Sequence, residues 1–312
     1  MTDAQKAEYA RIAYYYYKNA LTQEQISKKM HMSRQRVNRI LKECVERGIV
    51  KINIEGIEDA QYELEATLEQ KFNLLAARVT DYSEPELIQA ALGAKAGAYL
   101  ADMLSQGDII GFSRGETISS LVDNMPPITR TQLVATGLMG GWVHVEPTIS
   151  MDDIIHRFSQ KTGATAKMLY APVIVNNPDL KRSIVTESYF KEMYKVMKSC
   201  TIAVVGIGVM LTGEEIRDQK FSEVVEAFQL YSDLRAVGEI CTHFFDEKGK
   251  PVRSEMDDRM IAISLDDYMQ IPHRIGVAGS PAKLQAITGA LRGGYINVLI
   301  TDLETAEALT LN

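Results

Sequence analysis

From about residue 60 onward, short apolar runs alternate with amphipathic stretches, and nothing else in the chain restricts its fold so strongly. Strand-like runs fall at 74–80, 108–112, 133–138, 166–169, 202–207, 260–265, 274–278 and 296–301. Helical patterns lie among them, at 60–72, 84–105, 115–124, 150–162, 186–199, 214–229, 281–292 and 302–310. Alternating strands and helices predict a doubly wound, mainly parallel α/β sheet covered on both faces. Ligands of such sheets bind outside the carboxyl ends of the strands. A composition of 46% hydrophobic and 24% charged residues excludes disordered, collagen-like and low-complexity chains. At 312 residues the chain is long enough for two domains. The break in pattern puts a small one at 1–56 and the α/β domain at 57–312.

Charge divides at the same place. Residues 1–54 hold eleven Lys and Arg against five Asp and Glu, a net +6; the remainder then carries −13 of the chain's total of −7. A small basic front on an acidic body points to a nucleic-acid-binding module. The local pattern supports this. A first helix is expected over 4–19. Thr22 followed by Gln25 forms a capping box that opens a second helix ending near Met30. Ser33 caps a third, with Val37, Ile40, Leu41, Cys44 and Val45 forming a core-facing stripe. Gln35, Arg39 and Lys42 point away from that stripe, with Arg36 and Asn38 on its flanks and Arg34 at the helix entrance. Arg, Gln and Asn near a helix N-terminus suit base edges in a major groove, whereas Arg39 and Lys42, further along, suit phosphates. The expected DNA-facing set is therefore Thr22, Ser33, Arg34, Gln35, Arg36, Asn38, Arg39 and Lys42. Gly48 should stop the helix, and 49–54 reads as the strand of a wing. Winged helix-turn-helix modules of this kind bind double-stranded DNA.

The three cysteines form no CxxC pair, which fits a reducing cytoplasm and no disulfide scaffold. No apolar run approaches a membrane span, and the first twenty residues carry charges where a signal peptide needs an apolar core. The His positions form no metal-like spacing. A cytoplasmic protein without membrane partner, metal or cofactor is expected.

Within the body, GDIIGFSRGET leads from a buried strand into a helix. A loop with Gly111 and Gly115 at its ends converges backbone N–H groups on a positive helix terminus, to which Ser113 and Thr117 add hydroxyls and Arg114 a charge. That is the geometry of an anion cradle, and a tight strand-to-helix turn accounts for the same residues equally well. It is neither a Walker A loop nor a dinucleotide fingerprint.

The residues also resemble, over nearly the whole chain, the SorC-type (SorC/DeoR-like) bacterial sugar-catabolism regulators. The match is carried by LTQEQISKKMHMSRQRVNRILKECVERGIVKI, by GDIIGFSRGETISSLVDNMPP, and above all by VGEICTHFFDEKGKPV and RMIAISLDDYMQIPHRIGVAGSPAKLQAITGALRGGYINVLITDLETAEAL. The resemblance implies a C-terminal domain of the sugar-phosphate isomerase type that binds a sugar, polyol or sugar-phosphate effector. It also implies homodimers or homotetramers on palindromic operator DNA. Carried over, the loop residues Gly111, Ser113, Arg114, Gly115 and Thr117 meet the effector. Glu239 accepts from sugar hydroxyls, and Lys283 pairs with a phosphate beside Gly279 and Ser280. The chain departs from the family at Arg114, where an aromatic residue is common, at Glu116, commonly basic, and at Met139, basic in some relatives.

The leading expectation is a non-enzymatic transcriptional regulator of a carbohydrate operon. The alternative is a sugar-phosphate isomerase or deaminase, which needs an acid/base pair such as Glu239 with His243 or Glu146 near His144. That alternative leaves the basic front unexplained.

Overall fold

The computed structural model describes residues 1–51, 59–82, 84, 87–128, 130–141, 149–210 and 222–311. Two compact units emerge, Met1–Asp59 and Ala60–Asn312.

The first unit holds three helices, α1 (Asp3–Tyr17), α2 (Gln23–Met30) and α3 (Arg34–Glu46). The hydroxyls of Thr22 and Ser33 accept from the N–H groups of Gln25 and Arg36, so each cap satisfies a donor left free at its helix start. Between α2 and α3 the chain turns at His31, which is left-handed at φ 50°. Ser27 locks this turn by donating its hydroxyl to the Met32 carbonyl at 2.6 Å. Ile12, Ile26, Val37, Ile40, Leu41 and Cys44 form the buried core. Val45 differs from the expected stripe: at 40% exposure it lies outside the core. Gly48, left-handed at φ 68°, follows α3. The wing strand expected over 49–54 falls partly outside the described residues.

The second unit is built on seven parallel strands in the order β1-β10-β9-β5-β2-β3-β4. They are β1 (Ala76–Thr80), β2 (Ile109–Phe112), β3 (Val134–Gly137), β4 (Thr165–Lys167), β5 (Ile202–Gly206), β9 (His273–Val277) and β10 (Val298–Asp302). Alternate residues of one strand serve opposite faces: Ala203 and Val205 of β5 join one core, Ile202 and Val204 the other. Both faces are apolar because helices cover both. Those helices are α4 (Asp59–Phe72), α5 (Ile88–Met103), α6 (Glu116–Asn124), α7 (Met151–Thr162), α8 (Pro178–Thr186), α9 (Ser188–Lys198), α10 (Ser222–Asp233), α11 (Leu265–Met269), α12 (Leu284–Arg292) and α13 (Leu303–Leu311). Edge strand β1 is blunted by α4, where Glu65 and Glu69 accept from the Val79 and Ala77 N–H groups at 2.8 and 2.9 Å. The i, i+4 helical spacing matches the i, i+2 strand spacing.

Beside the large sheet lies a small antiparallel one, β6 (Gly208–Val209), β7 (Gly238–Ile240) and β8 (His243–Phe245), which periodicity does not reveal because each strand is only two or three residues long. Other elements depart from expectation for local reasons. The run at 260–265 is no strand of the main sheet; it forms isolated antiparallel bridges, Met139 with Ala262 and Ile174 with Met260. The stretch 186–199 is the helix α9, preceded by the unexpected α8, with an extended Glu187 between them. The start of the helix expected over 214–229 falls outside the described residues.

Candidate effector site and recognition helix

Strand ends build the site in the second unit. After β2, the Ser113 N–H donates to the Val204 carbonyl at 3.0 Å, and its hydroxyl accepts from the Gly206 N–H at 2.9 Å. The loop is thereby tied to the end of β5, and Arg114 follows on its way into α6. The Arg114 Nε is buried without a hydrogen-bond partner. Burial holds its guanidinium below the usual arginine range, against the pull of Glu116 and Glu239.

After β5 the chain enters β6, where Gly208 pairs with Glu239 of β7. A Cβ at Gly208 would lie 2.5 Å from Glu239 Oε1, so glycine there lets the carboxylate rest on the backbone. The other oxygen accepts from the Thr242 N–H at 3.0 Å. Burial pushes the Glu239 carboxyl up, opposed by that N–H, by Lys283 and by Arg114. Helix α12 packs close on β7, a Cβ on Gly238 lying 2.7 Å from that of Ala286, and this brings the start of α12 near Glu239.

Lys283 ends a single 3-10 turn, Pro281–Lys283, after β9. Its Nζ donates to the Ile207 carbonyl at 3.3 Å. Burial lowers its ammonium pKa, while Glu116 and Glu239 raise it. The turn is anchored from beneath by Asp302, fully buried at the end of β10. Asp302 Oδ2 and Thr305 Oγ1 accept from the Ser280 N–H at 2.8 and 2.9 Å, and Asp302 Oδ1 accepts from the Thr305 N–H. Ser280 is held left-handed at φ 99°, a strained conformation for a residue with a Cβ. Gly279 is required beside it, since a Cβ there would fall 2.1 Å from Asp302 Oδ2. Asp302 is not singled out by the sequence, its one signal being an Asp that ends an apolar strand, whereas Gly206-Ile207-Gly208 after the apolar run at 202–205 is readable as a weak turn signal.

The electrostatic interactions thus join Arg114, Glu239 and Lys283, with Glu116 close enough to act on both cations. Glu116 is exposed and accepts from Gln89 at 2.7 Å. Thr117 lies in the first turn of α6 and Gly115 at its cap. Gly111 stands apart: it lies inside β2, and a Cβ there would strike Leu138 at 2.4 Å, so packing accounts for it. Met139, buried, contributes no charge. The acid/base pair Glu239 and His243 is not formed. His243 is paired with Ile240, the neighbour of Glu239, and so belongs to the opposite face of the small sheet. Its Nε2 lies 2.9 Å from the Ile263 carbonyl. Glu146 and His144 lie outside the described residues.

In the first unit, Gln35, Asn38, Arg39 and Lys42 are all exposed on α3. Asn38 accepts from Gln23 at 3.4 Å, fixing α2 against α3, and Arg39 lies 3.9 Å from Glu43. Arg36 reaches back to Glu8 of α1 at 3.3 Å. Thr22, Arg34 and Tyr16 border one hollow of about 560 Å³. The N-termini of α2 and α3 both contribute to it.

This combination, a helix-turn-helix unit in a chain whose α/β unit presents paired cations and a carboxylate, is that of a ligand-responsive DNA-binding regulator. A family profile described as "Putative sugar-binding domain" matches residues 59–310, and a MarR family profile matches 5–55. The sorbitol operon regulator of Klebsiella pneumoniae is 33% identical, with 96% of each chain covered. The deoxyribonucleoside regulator of Bacillus subtilis is 31% identical over 94% of each. The crystal structure of full-length SorC from K. pneumoniae superposes with a TM-score of 0.77 at 30% identity, covering 99% of this chain and all of that one. The chain belongs to the SorC-type family of sugar-binding transcriptional regulators. No helix among the described residues is long and apolar enough to cross a membrane.

Proposed function

We propose that this protein is a cytoplasmic, non-enzymatic regulator of a carbohydrate operon whose operator affinity is set by a phosphorylated sugar or polyol bound at the strand ends. The observation that carries the reading is the buried, unpartnered Arg114 Nε in one electrostatic cluster with Lys283 and Glu239. An orphaned donor and a desolvated ammonium call for an anion, and a half-buried carboxylate beside them calls for hydroxyl donors. Ser113, Gly115, Thr117, Gly279 and Ser280 supply the backbone around that anion. The names of the relatives, a sorbitol operon regulator and a deoxyribonucleoside regulator, agree with this ligand class.

On the DNA side, Gln35 and Arg34 read base edges and Arg39 and Lys42 hold phosphates. Thr22 and Ser33 act by setting the helix starts. A palindromic operator and a dimer or tetramer follow from two-fold pairing of recognition helices. The division of labour places DNA contact in 1–56, and effector binding and assembly in 57–312. The experiment is a thermal-shift screen of phosphorylated and free sugars and polyols against the full chain, followed by selection of bound duplexes from a random pool. A phosphorylated compound that stabilises the protein and releases the selected duplex is the expected result. Turnover of that compound on incubation would overturn the non-enzymatic reading.

A further inference from the structure

A second cavity lies along the edge of the small sheet. A cleft of about 840 Å³ opens between α8–α9 and β8, with Thr242 and His243 on one wall. Arg114 and Lys283 do not line it. Its size suits a small organic molecule. The floor is apolar, formed largely by Phe244, Met260, Ile261 and Ile263. Its charges are unbalanced. Of the three acids on the wall, Glu192 is paired with Lys195 at 2.7 Å, and Asp257 accepts from the Tyr231 hydroxyl and the Ser254 N–H. Both of those donors are neutral, so Asp257 keeps its charge, and Asp266 has no ion-pair partner among the described residues. Against these acids stand Lys191 and Arg253, neither of which has a carboxylate within ion-pair distance among the described residues; the Lys181 ammonium donates to the Asp257 carbonyl at 2.7 Å and is already opposed by the carboxylates of Asp258 and Asp257.

We infer that this cleft binds a small amphipathic anion, a carboxylate or sulfonate on an apolar body, at a site separate from the sugar site. The apolar body would cover Phe244, Met260 and Ile263, and the anionic head would meet Arg253 and Lys191. Burial pushes the His243 imidazole pKa down. Its neutral ring, donating from Nε2 to Ile263, presents an acceptor rather than a third strong cation, so the head group belongs at the lysine and arginine end.

The test uses anilinonaphthalene sulfonate, an amphipathic anion whose emission rises in apolar surroundings, titrated into the full chain. Saturable enhancement displaced by octanoate but not by octanol is expected. The double variant Lys191→Gln, Arg253→Gln should weaken binding about tenfold or more, the scale of lost charge-assisted hydrogen bonds. Both side chains are exposed, and an unchanged melting curve checks the fold. Lys283→Ala should leave the titration within about twofold, which separates this site from the sugar site. Equal displacement by octanoate and octanol would overturn the proposal. So would a double variant that binds like the parent, or absence of saturable binding because a second copy covers the cleft.

Discussion

The two candidate sites of this chain are assembled by opposite means. On the recognition helix, Gln35, Arg39 and Lys42 are brought together by one helical period. Any stable helix over 34–46 places them on one face. In the candidate effector site, Arg114, Glu239 and Lys283 come from segments separated by 125 and 44 positions and meet only because β2, β5 and β9 are neighbours in a parallel sheet and β7 pairs with β6 just past the end of β5. A local site tolerates changes in the surrounding fold, whereas a site of strand ends depends on every anchor beneath it. The first should therefore lose function residue by residue, and the second should fail through residues that touch no ligand.

Asp302→Ala is the most severe way to sharpen that contrast. It removes one of the two acceptors of the Ser280 N–H, leaving Thr305 Oγ1, and the cap of α13, from a fully buried position. Urea unfolding should show a loss of about 1–3 kcal/mol, the scale of a lost cap plus one lost hydrogen bond at a buried position. Sugar affinity should fall as well. A variant with parent stability would sever the claimed link between anchor and site.

Gln35→Ala should cost about 1–3 kcal/mol of discrimination between the selected operator and its base-substituted forms. Lys42→Ala should instead weaken all duplexes alike and reduce the salt slope by about one. Anisotropy titrations at several salt concentrations separate the two, and identical behaviour would dissolve the division between reading and anchoring.

Glu239→Gln should stabilise the ligand-free protein at neutral pH. Burial raises the carboxyl above the ordinary glutamate range, so the folded state favours the protonated form. That contribution is fully present below the unfolded value and is lost as pH rises through the folded one. A neutral amide escapes the cost and can still accept from Thr242. A gain of about 2–4 °C in melting temperature corresponds to about 1 kcal/mol in a protein of this size. The gain should vanish at low pH, and sugar affinity should fall. A variant no more stable than the parent at neutral pH would refute the view that this carboxylate is kept for binding.

Arg36→Ala has the smallest expected effect. Its partner Glu8 is partly exposed, and such pairs contribute about 0–1 kcal/mol. Operator discrimination should change little. A loss as large as that of Gln35→Ala would show that Arg36 releases Glu8 to reach a base.

The same contrast explains how far sequence reasoning reaches. The caps at Thr22 and Ser33, the helices of the first unit and the long parallel strands are local or periodic, and the residues alone reveal them. Pairing of Arg36 with Glu8 crosses from α3 to α1, so helical period could show only that Arg36 was near the outer face. The small sheet escapes notice because its strands are too short to show a period. His243 beside Glu239 in sequence invited a catalytic pairing that the alternation of β8 across from β7 forbids. Glu239 and Lys283 stand out only through family resemblance, since nothing in their neighbourhoods distinguishes them from surface charges. Gly111 looked like part of the cradle because glycine serves packing and phosphate approach alike; only Leu138 pressed against it decides for packing.

The central claim is that the strand-end site governs the DNA-binding unit. Its most direct test is to titrate the stabilising sugar phosphate into the full chain bound to its selected operator, with the parent and Lys283→Ala side by side. The account predicts that the ligand shifts operator affinity of the parent by about tenfold or more, the scale of an allosteric coupling, and leaves Lys283→Ala unresponsive but fully able to bind DNA. An equal shift in both proteins would contradict it.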